Sequence, residues 1–335
     1  MPSENDAALR ALLPREAAAR LQSLRLSDGV ATLVLDASGL GAAERAGLEI
    51  GARKALERES DIAEVRVALM AERDGPAKPA PRILAVGSGK GGVGKSTLST
   101  NLAVALARRG IKVGLVDADI YGPSQARLLG TEGTKALAHD KKLVPVATRW
   151  GVPVLSMGHL IEPGQAMAWR GPMAAGALTQ LLEAHWEEAE VLVVDLPPGT
   201  GDVQLTMLQK FKPAGAVIVT TPQDLALIDA TRAIELFTKG GVPIVGLVEN
   251  MAGYVCPHCG EESDPFGHGG GETSARGLGI DFLGRIPLDI AIRRQSDAGE
   301  PPAAGDGPQA EAFAALAARV ADWLAAPSDR AAGAA

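Results

Sequence analysis

A glycine-rich run that directly follows an apolar stretch at residues 83–86 constrains the fold of this chain more than any other feature. The run consists of Gly89, Lys90, Gly91, Gly92, Val93, Gly94, Lys95, Ser96 and Thr97. It fits the G-x-x-x-x-G-K-[ST] spacing of a phosphate-binding loop, in which glycines allow backbone N–H groups to turn inward around phosphate oxygens. A helix predicted over 98–109 adds its positive N-terminal end. The run predicts binding of a nucleoside triphosphate, with Lys95 on the β- and γ-phosphates and Ser96 on Mg²⁺.

The rest of the chain alternates between apolar strand-like runs and helical runs, which is typical of an α/β protein. Candidate strands lie at 83–88, 113–117, 152–156, 191–195, 216–221, 244–249 and 282–286. Most of them are continuously apolar, as expected for a parallel sheet that is covered on both faces. We predict a P-loop NTPase fold with a mostly parallel sheet and helices on both of its faces, preceded by a small α/β domain.

The length of 335 residues favours about two domains. A Pro-rich spacer at 74–81 is the predicted boundary between a small domain over 1–73 and an ATPase domain over 82–326. An Ala/Gly-rich tail follows at 327–335. The elements predicted for the first domain are a helix over 6–20, a strand over 21–26, a hairpin turn at Ser27, Asp28 and Gly29, a strand over 30–35, a helix over 42–59 and a strand over 62–69.

Composition limits the classes of partner. The net charge of −7 gives no general attraction to DNA or to anionic membranes, and an aromatic content of 3% provides few stacking surfaces for single-stranded nucleic acid. The N-terminus lacks the basic-then-apolar layout of a signal peptide, and no apolar stretch approaches the roughly 20 residues of a spanning helix. We expect a cytoplasmic protein that binds neither nucleic acid nor membrane.

The chain has two cysteines, Cys256 and Cys259, in a C-x-x-C arrangement that suits one metal ion or one edge of a cluster. Three interpretations follow from the spacing. A zinc site needs four ligands, for which only His258 and His268 are near; a redox dithiol normally opens a helix, whereas this pair lies in a loop. A [4Fe–4S] cluster shared by two copies needs only two cysteines from each. The spacing alone leaves these three open.

Polar residues also follow three of the predicted strands. Asp117 and Asp119 end one strand, Asp195 ends another, and Asn250 follows a third. A strand-end aspartate is often only a helix cap, and a lone asparagine is often only a turn residue. Their order after a phosphate-binding loop favours a nucleotide site instead.

Several motifs together resemble one group of proteins. The second lysine of the loop, Lys90, is by itself compatible with an exposed loop residue, but K-G-G-x-G-K-[ST] resembles the deviant phosphate-loop ATPases, which include the nitrogenase iron protein, MinD, ParA and the Mrp/ApbC-type iron–sulfur carriers. The resemblance to those carriers covers roughly 82–325. It rests on the runs KGGVGKST, DADIYGPS, DLPPGTGD, VENM, CPHCG and FGHGGG, in that order.

The resemblance implies roles for individual residues of the nucleotide site. Lys90 is expected to reach the partner's nucleotide across a homodimer, acting like an arginine finger. Asp119 is expected to orient the attacking water, while Asp117 and Asp195 lie on the Mg²⁺ side. Asn250 is expected to bond the adenine edge.

The resemblance also implies a function. Cys256 and Cys259 of two copies are expected to hold a [4Fe–4S] cluster that arrives from scaffold proteins and passes to apo iron–sulfur clients, with slow ATP hydrolysis. Two alternatives are a MinD- or ParA-like dimeric switch and an ATP-gated electron donor. The segment 310–324 is amphipathic but carries few basic residues, which favours packing on the body of the protein over a membrane.

The N-terminal region resembles the small α/β domain often found before such ATPases, with two departures. An Asp-Pro-Glu near its start is missing, and Ala37, Ser38, Gly39 and Leu40 stand where a cysteine is usual. We therefore assign it neither a cluster nor a catalytic role, which leaves docking or regulation.

Overall fold

The computed structural model describes residues 4–70, 79–160, 171–186 and 188–326. In chain order, the strands are β1 (Leu21–Ser27), β2 (Val30–Asp36), β3 (Glu64–Met70), β4 (Arg82–Ser88), β5 (Val113–Asp117), β6 (Leu137–His139), β7 (Lys142–Val144), β8 (Val154–Ser156), β9 (Val191–Asp195), β10 (Gly215–Thr220), β11 (Ile244–Asn250), β12 (Tyr254–Val255), β13 (Glu262–Ser263) and β14 (Phe282–Ile286). The helices are α1 (Glu4–Leu12), α2 (Arg15–Ala19), α3 (Ala42–Leu56), α4 (Lys95–Arg108), α5 (Gln125–Leu128), α6 (Gly171–Leu182), α7 (Asp202–Thr206), α8 (Asp224–Lys239), α9 (Gly270–Leu278), α10 (Ile290–Asp297) and α11 (Pro308–Ala325).

The chain divides into two compact units. The first comprises the described residues up to Pro79 together with residues 137–144, and the second comprises the remaining described residues. Residues 74–78 of the predicted Pro-rich spacer and the predicted tail over 327–335 lie outside the described residues.

The first unit is built on a three-stranded sheet in the order β1-β2-β3. β1 and β2 form the predicted hairpin, and both of its turn residues have positive φ, Asp28 at 50° and Gly29 at 76°. Such a turn matches the twist of the strands. The helix predicted over 6–20 is in fact two helices, because the ring of Pro14 cannot continue α1 and instead precedes the first turn of α2.

The second unit contains a seven-stranded sheet in the order β14-β11-β10-β4-β9-β5-β8, and every pair of neighbours is parallel. These are the seven strands predicted from the apolar runs, and the predicted fold class is confirmed. The strand predicted over 152–156 begins two positions later, at Val154. Every residue of β5, β9 and β10 is buried, which explains why their sequences do not alternate.

Helices cover both faces of this sheet. Leu84 and Val86 of β4 belong to the same apolar cluster as Phe313 of α11 and several leucines of α4. Gly87, which points to the other face, lies against Phe237 of α8. Because all seven strands run the same way, the loops after β4, β5, β9 and β11 meet at one edge of the sheet.

The last helix, α11, packs on the second unit. This agrees with the prediction made from the small number of basic residues in 310–324. Its apolar side is buried through Ala310, Phe313, Leu316, Val320 and Leu324. Among the described residues, no helix is both long and apolar enough to cross a bilayer.

Candidate functional site

The glycine-rich run forms the loop between β4 and α4. Gly92 and Gly94 have φ of 81° and 80°, in the left-handed region that side chains disfavour. Gly94 is the residue before α4, so Lys95, Ser96 and Thr97 form the first turn of that helix. The loop therefore presents backbone N–H groups and a helix N-terminus together, which is the arrangement that binds phosphate.

Gly89 is required for a different reason. A Cβ at this position would lie 2.0 Å from both the carbonyl carbon and the carbonyl oxygen of Asp229 in α8. The phosphate loop is thus packed directly on the backbone of a neighbouring helix, at a distance that only glycine permits.

Substituting Gly89 with alanine is expected to destabilise the protein by about 2–3 kcal/mol, because backbone on both sides must move. The matched control is Gly176→Ala, since Gly176 lies in α6 with open space around its Cα. That change is expected to stabilise the protein by about 0.5–1 kcal/mol through helix propensity. Urea unfolding measures both. Equal stability of the two variants would contradict the close packing.

Lys95 is buried and forms an ion pair with Asp195, at 2.6 Å from Nζ to Oδ1. The Ser99 hydroxyl donates to the same carboxylate oxygen at 2.9 Å. Asp195 is fully buried at the end of β9, so its charge depends on these partners. A triphosphate that attracts Lys95 would compete directly with this carboxylate.

Asp119 lies beside the same lysine. Its Oδ2 atom is 4.0 Å from Lys95 Nζ, and Oδ1 accepts from the Gly122 backbone N–H at 3.3 Å. Burial raises the pKa of this carboxyl, and Lys95 opposes that effect. Lys95, Asp119 and Asp195 thus converge at the carboxyl edge of the sheet, as their positions in the sequence predicted.

Gln125 is a central residue that the sequence did not bring to attention. It is fully buried at the start of α5, and its side-chain amide donates to Asp195 Oδ2 at 2.8 Å and to the Ser96 carbonyl at 3.1 Å. The side-chain oxygen of Gln125, Oε1, accepts from the Thr100 hydroxyl. One side chain therefore joins α4, β9 and the segment after β5. The only available signal was its place directly after the DIYGPS run.

Asp117 is fully buried and belongs to the same hydrogen-bond network. Its Oδ2 atom accepts from the backbone N–H groups of Ser124 and Gln125, at 2.9 and 3.0 Å, and from the Ser156 hydroxyl at 2.8 Å. It pairs in register with Asp195 on the adjacent strand. Asp117 therefore fixes the segment that carries Asp119. Burial, and then the Asp195 charge, raise the pKa of Asp117 to about 7.

This raised pKa predicts a pH dependence of stability. Between about pH 4 and pH 7 the folded protein binds a proton on Asp117 that the unfolded chain has released, so the free energy of unfolding falls as pH rises through that window. The slope for one proton is at most about 1.4 kcal/mol per pH unit. Asp117→Asn is expected to lose this slope in urea unfolding at pH 5, 6 and 7, because an asparagine amide binds no proton in this range. Parallel profiles of variant and wild type would contradict the assignment.

Lys90 is half-buried in the loop, where its carbonyl accepts from the Ser88 hydroxyl at 3.0 Å. Within the described part of the chain, no ion pair or hydrogen bond holds its ammonium group. The Ser88 carbonyl in turn accepts from the Gly199 backbone N–H, so the loop contacts the Pro-Pro-Gly segment after β9. Gln204 of α7 holds that segment through the carbonyls of Pro197 and Gly199.

Asn250 contacts the same loop from the end of β11. Its Nδ2 atom donates to the Val93 carbonyl at 2.8 Å and approaches Gly94 so closely that no Cβ fits there. Glycine at position 94 therefore makes room for the Asn250 side chain in addition to giving the loop its phosphate-binding conformation. A contact with adenine stays a prediction.

The two cysteines lie at the tip of a short hairpin formed by β12 and β13. The Cys256 N–H donates to the Glu261 carbonyl at 3.0 Å, and the Gly260 N–H donates to the Cys256 carbonyl at 2.8 Å. Cys259 is exposed and Cys256 is partly exposed. The backbone N–H of Cys259, followed by that of His258, lowers the pKa of the Cys256 thiol. This turn favours a thiolate at the surface.

The structure also bears on the type of metal. Among the described residues, no group of three or more His, Cys, Asp or Glu side chains is arranged to hold a metal ion. His268 lies 3.5 Å from Asp264 and is exposed. A four-ligand zinc site within one chain is therefore not formed in this part of the protein, whereas two thiolates fit half of a shared cluster.

Comparison with known proteins decides the family. The family model described as ParA, NUBPL iron-transfer P-loop NTPase, matches residues 80–321. The chain belongs to this family. It is a P-loop nucleotide hydrolase by fold and by family, and the resemblance drawn from its motifs is confirmed.

Relatives of this NTPase support the assignment. An iron–sulfur cluster carrier protein of Pseudomonas fragi is 52% identical over 67% of this chain and 79% of its own length. One from Deinococcus radiodurans is 44% identical over 89% of this chain and 88% of its own length, so that match extends into the first unit. A nucleotide-binding protein of Archaeoglobus fulgidus, solved in complex with ADP, is 42% identical with a TM-score of 0.58 over 65% of this chain and 86% of that one. MinD of Pyrococcus furiosus is 26% identical, with a TM-score of 0.54 over 72% of this chain and 99% of that one.

Proposed function

We propose that this chain is an ATP-binding and hydrolysing carrier that holds a [4Fe–4S] cluster between two copies and transfers it to apo-proteins. The observation that carries the proposal is the pair of partly exposed Cys256 and exposed Cys259, which offers two thiolates on a surface hairpin of the unit that contains the phosphate-binding loop. The names of the relatives give it further support.

The nucleotide half of the function uses the ion pair at the base of the loop. When ATP binds, Lys95 leaves Asp195 for the β- and γ-phosphates, and Asp195 becomes free to act on the Mg²⁺ side with the Ser96 hydroxyl. Gln125 and Ser99 keep the carboxylate oriented during this exchange. Asp119 orients the water whose oxygen attacks the γ-phosphorus as the bond to ADP breaks. Slow turnover suits a carrier.

The cluster half follows from ligand number. Two copies together supply four cysteine thiolates, which is the complement of a [4Fe–4S] cluster. Transfer is a ligand exchange in which thiolates of the client replace Cys256 and Cys259, with no change in the oxidation state of the cluster. Exposure of the hairpin lets a client approach without unfolding the carrier.

Anaerobic reconstitution with iron and sulfide tests the proposal. The wild-type protein is expected to become dimeric, to bind about two iron atoms per chain, and to pass them to an apo-acceptor that then regains its activity. Zinc retained in place of iron would contradict the carrier, as would a reconstituted protein that donates no cluster. A stable cluster that is reduced and reoxidised under ATP control would favour the electron donor instead.

The role of Lys90 across the dimer has its own test. Lys90→Ala and Asp119→Ala are each expected to lower hydrolysis by at least about 100-fold, since the first removes a cation from the reacting phosphate and the second removes the carboxylate that orients the attacking water. Mixing them is expected to restore activity, because the Asp119→Ala copy supplies Lys90 to the intact Asp119 of its partner. The control mixes Lys90→Ala with a Lys90→Ala/Asp119→Ala double variant, which supplies no lysine. No recovery in the first mixture would contradict a lysine that acts across the dimer.

A further inference from the structure

The segment that leads back from the cysteine hairpin, residues 264–271, has no part in the function described so far. It ends at the start of α9, where the Gly271 backbone N–H donates to Glu249 Oε2 at 2.5 Å. Glu249 is fully buried near the end of β11, and its other oxygen accepts from Arg285 Nε at 3.1 Å. A buried carboxylate thus anchors the return of the hairpin to the central sheet.

The fit around this anchor leaves no room for side chains. A Cβ on Gly271 would lie 2.9 Å from Glu249 Oε2, and one on Gly270 would lie 2.8 Å from the Pro222 carbonyl oxygen. Gly270 and Gly271 of the FGHGGG run therefore lie too close to the residues just before α8 and to β11, respectively, for a side chain to fit without a shift of its neighbours. This contact explains a motif that neither the nucleotide nor the cysteines account for.

The outgoing side of the hairpin is fixed at the same strand. The residue next to Glu249 is Asn250, whose side chain donates to the Val93 carbonyl in the phosphate loop. Beyond it, the Ala252 N–H donates to the Ile286 carbonyl at 3.0 Å, and the Leu288 N–H donates to the Gly253 carbonyl at 2.9 Å. Two adjacent residues of β11 therefore bind the phosphate loop and the returning end of the cysteine hairpin.

From this juxtaposition we infer that Glu249 is a positioning residue through which the state of the phosphate loop sets the position of the cysteine hairpin. Movement of Val93 on nucleotide binding is carried by Asn250 to the end of β11, and the Glu249–Gly271 bond carries it to the hairpin. Arg285 holds the carboxylate in place, because it also bonds Glu272 at 2.6 Å. The inference rests on the proposed function, since the position of the hairpin matters for holding a cluster. The contacts from the phosphate loop to the hairpin are nevertheless present in the protein without a cluster.

Hydrogen–deuterium exchange of the cluster-free full chain, with and without Mg²⁺·ADP, tests the link directly. In the wild type, nucleotide is expected to change exchange at residues 252–269 by at least threefold. In Glu249→Ala, exchange there is expected to be about 10-fold faster and unaffected by nucleotide, while the Kd for ADP stays within threefold. Glu249→Gln keeps one acceptor for Gly271 and is expected to retain part of the response, which guards against a folding defect in the alanine variant.

Glu272→Gln is the matched control, because it neutralises the other carboxylate that pairs with Arg285, keeps an acceptor for that arginine, and leaves the Gly271–Glu249 contact intact. Its exchange response is expected to equal that of the wild type. An unchanged nucleotide response in Glu249→Ala would overturn the inference, as would a wild-type hairpin that does not respond to nucleotide. Failure of the wild type to bind iron would instead contradict the carrier function, since the exchange experiment contains no cluster.

Discussion

Lys95→Ala is expected to lower the rate of nucleotide hydrolysis by about 10²–10³-fold, the effect of removing one charged contact to a reacting phosphate group. The same change is expected to destabilise the protein by about 3–5 kcal/mol. It leaves Asp195 as a fully buried carboxylate without the Lys95 ammonium group, which lies 2.6 Å from Asp195 Oδ1 in the wild type. Phosphate release and urea unfolding measure the two effects. The control is Lys239→Ala, which removes an exposed lysine that pairs with Glu235 on the same helix.

The double variant Lys95→Ala/Asp195→Asn separates these two roles. Removing the buried charge is expected to restore most of the lost stability, while hydrolysis stays as low as in the single variant. A double variant as unstable as Lys95→Ala would show that the lysine stabilises the fold by packing rather than by its charge. Recovery of hydrolysis would contradict the assignment of Lys95 to the phosphates.

Cys256→Ala/Cys259→Ala is expected to abolish iron binding after anaerobic reconstitution and to leave hydrolysis within about twofold of the wild type. Both side chains lie on an exposed hairpin, so the free energy of unfolding is expected to change by less than about 0.5 kcal/mol. Iron analysis, absorbance and phosphate release measure the outcome. This result would show that the two cysteines are needed for iron binding but not for the stability of the fold or for hydrolysis.

His258→Ala is the matched control for the cysteine pair, since His258 lies between them on the same exposed turn. It is expected to bind as much iron as the wild type. Iron retained by the double cysteine variant, or lost from His258→Ala, would contradict a site made only of thiolates.

The sequence predicted what depends on short-range pattern. All seven strands of the large sheet were found because burial on both faces leaves continuous apolar runs, as in Val113–Asp117 and Val191–Asp195. The loop was found because its glycines are required by local backbone conformation and close packing. The prediction of one helix over 6–20 is wrong at Pro14, because proline ends the helix there although the alanine-rich segments on both sides favour helix.

Contacts between distant segments were not predictable in the same way. Gln125 reaches Ser96 and Asp195 only because three strand ends meet at one edge, and a lone glutamine has no pattern that reports this. Glu249 and Gly271 are joined by a turn of chain whose path the sequence does not define. The hydrogen bonds of Asp117 to Ser124, Gln125 and Ser156, which anchor the segment after β5, were likewise not predicted, and its place on the Mg²⁺ side stays a prediction.

The open hairpin at Cys256 and Cys259 has a consequence for the conditions under which such a carrier works. Cys259 is exposed and Cys256 is partly exposed, and a few backbone hydrogen bonds hold the hairpin that carries them. A cluster bound at this tip, as proposed, would be as accessible to dissolved oxygen as to a client protein. For the carrier proposed above, delivery would have to be faster than oxidation of the cluster, and a second copy docked over the hairpin would slow that oxidation.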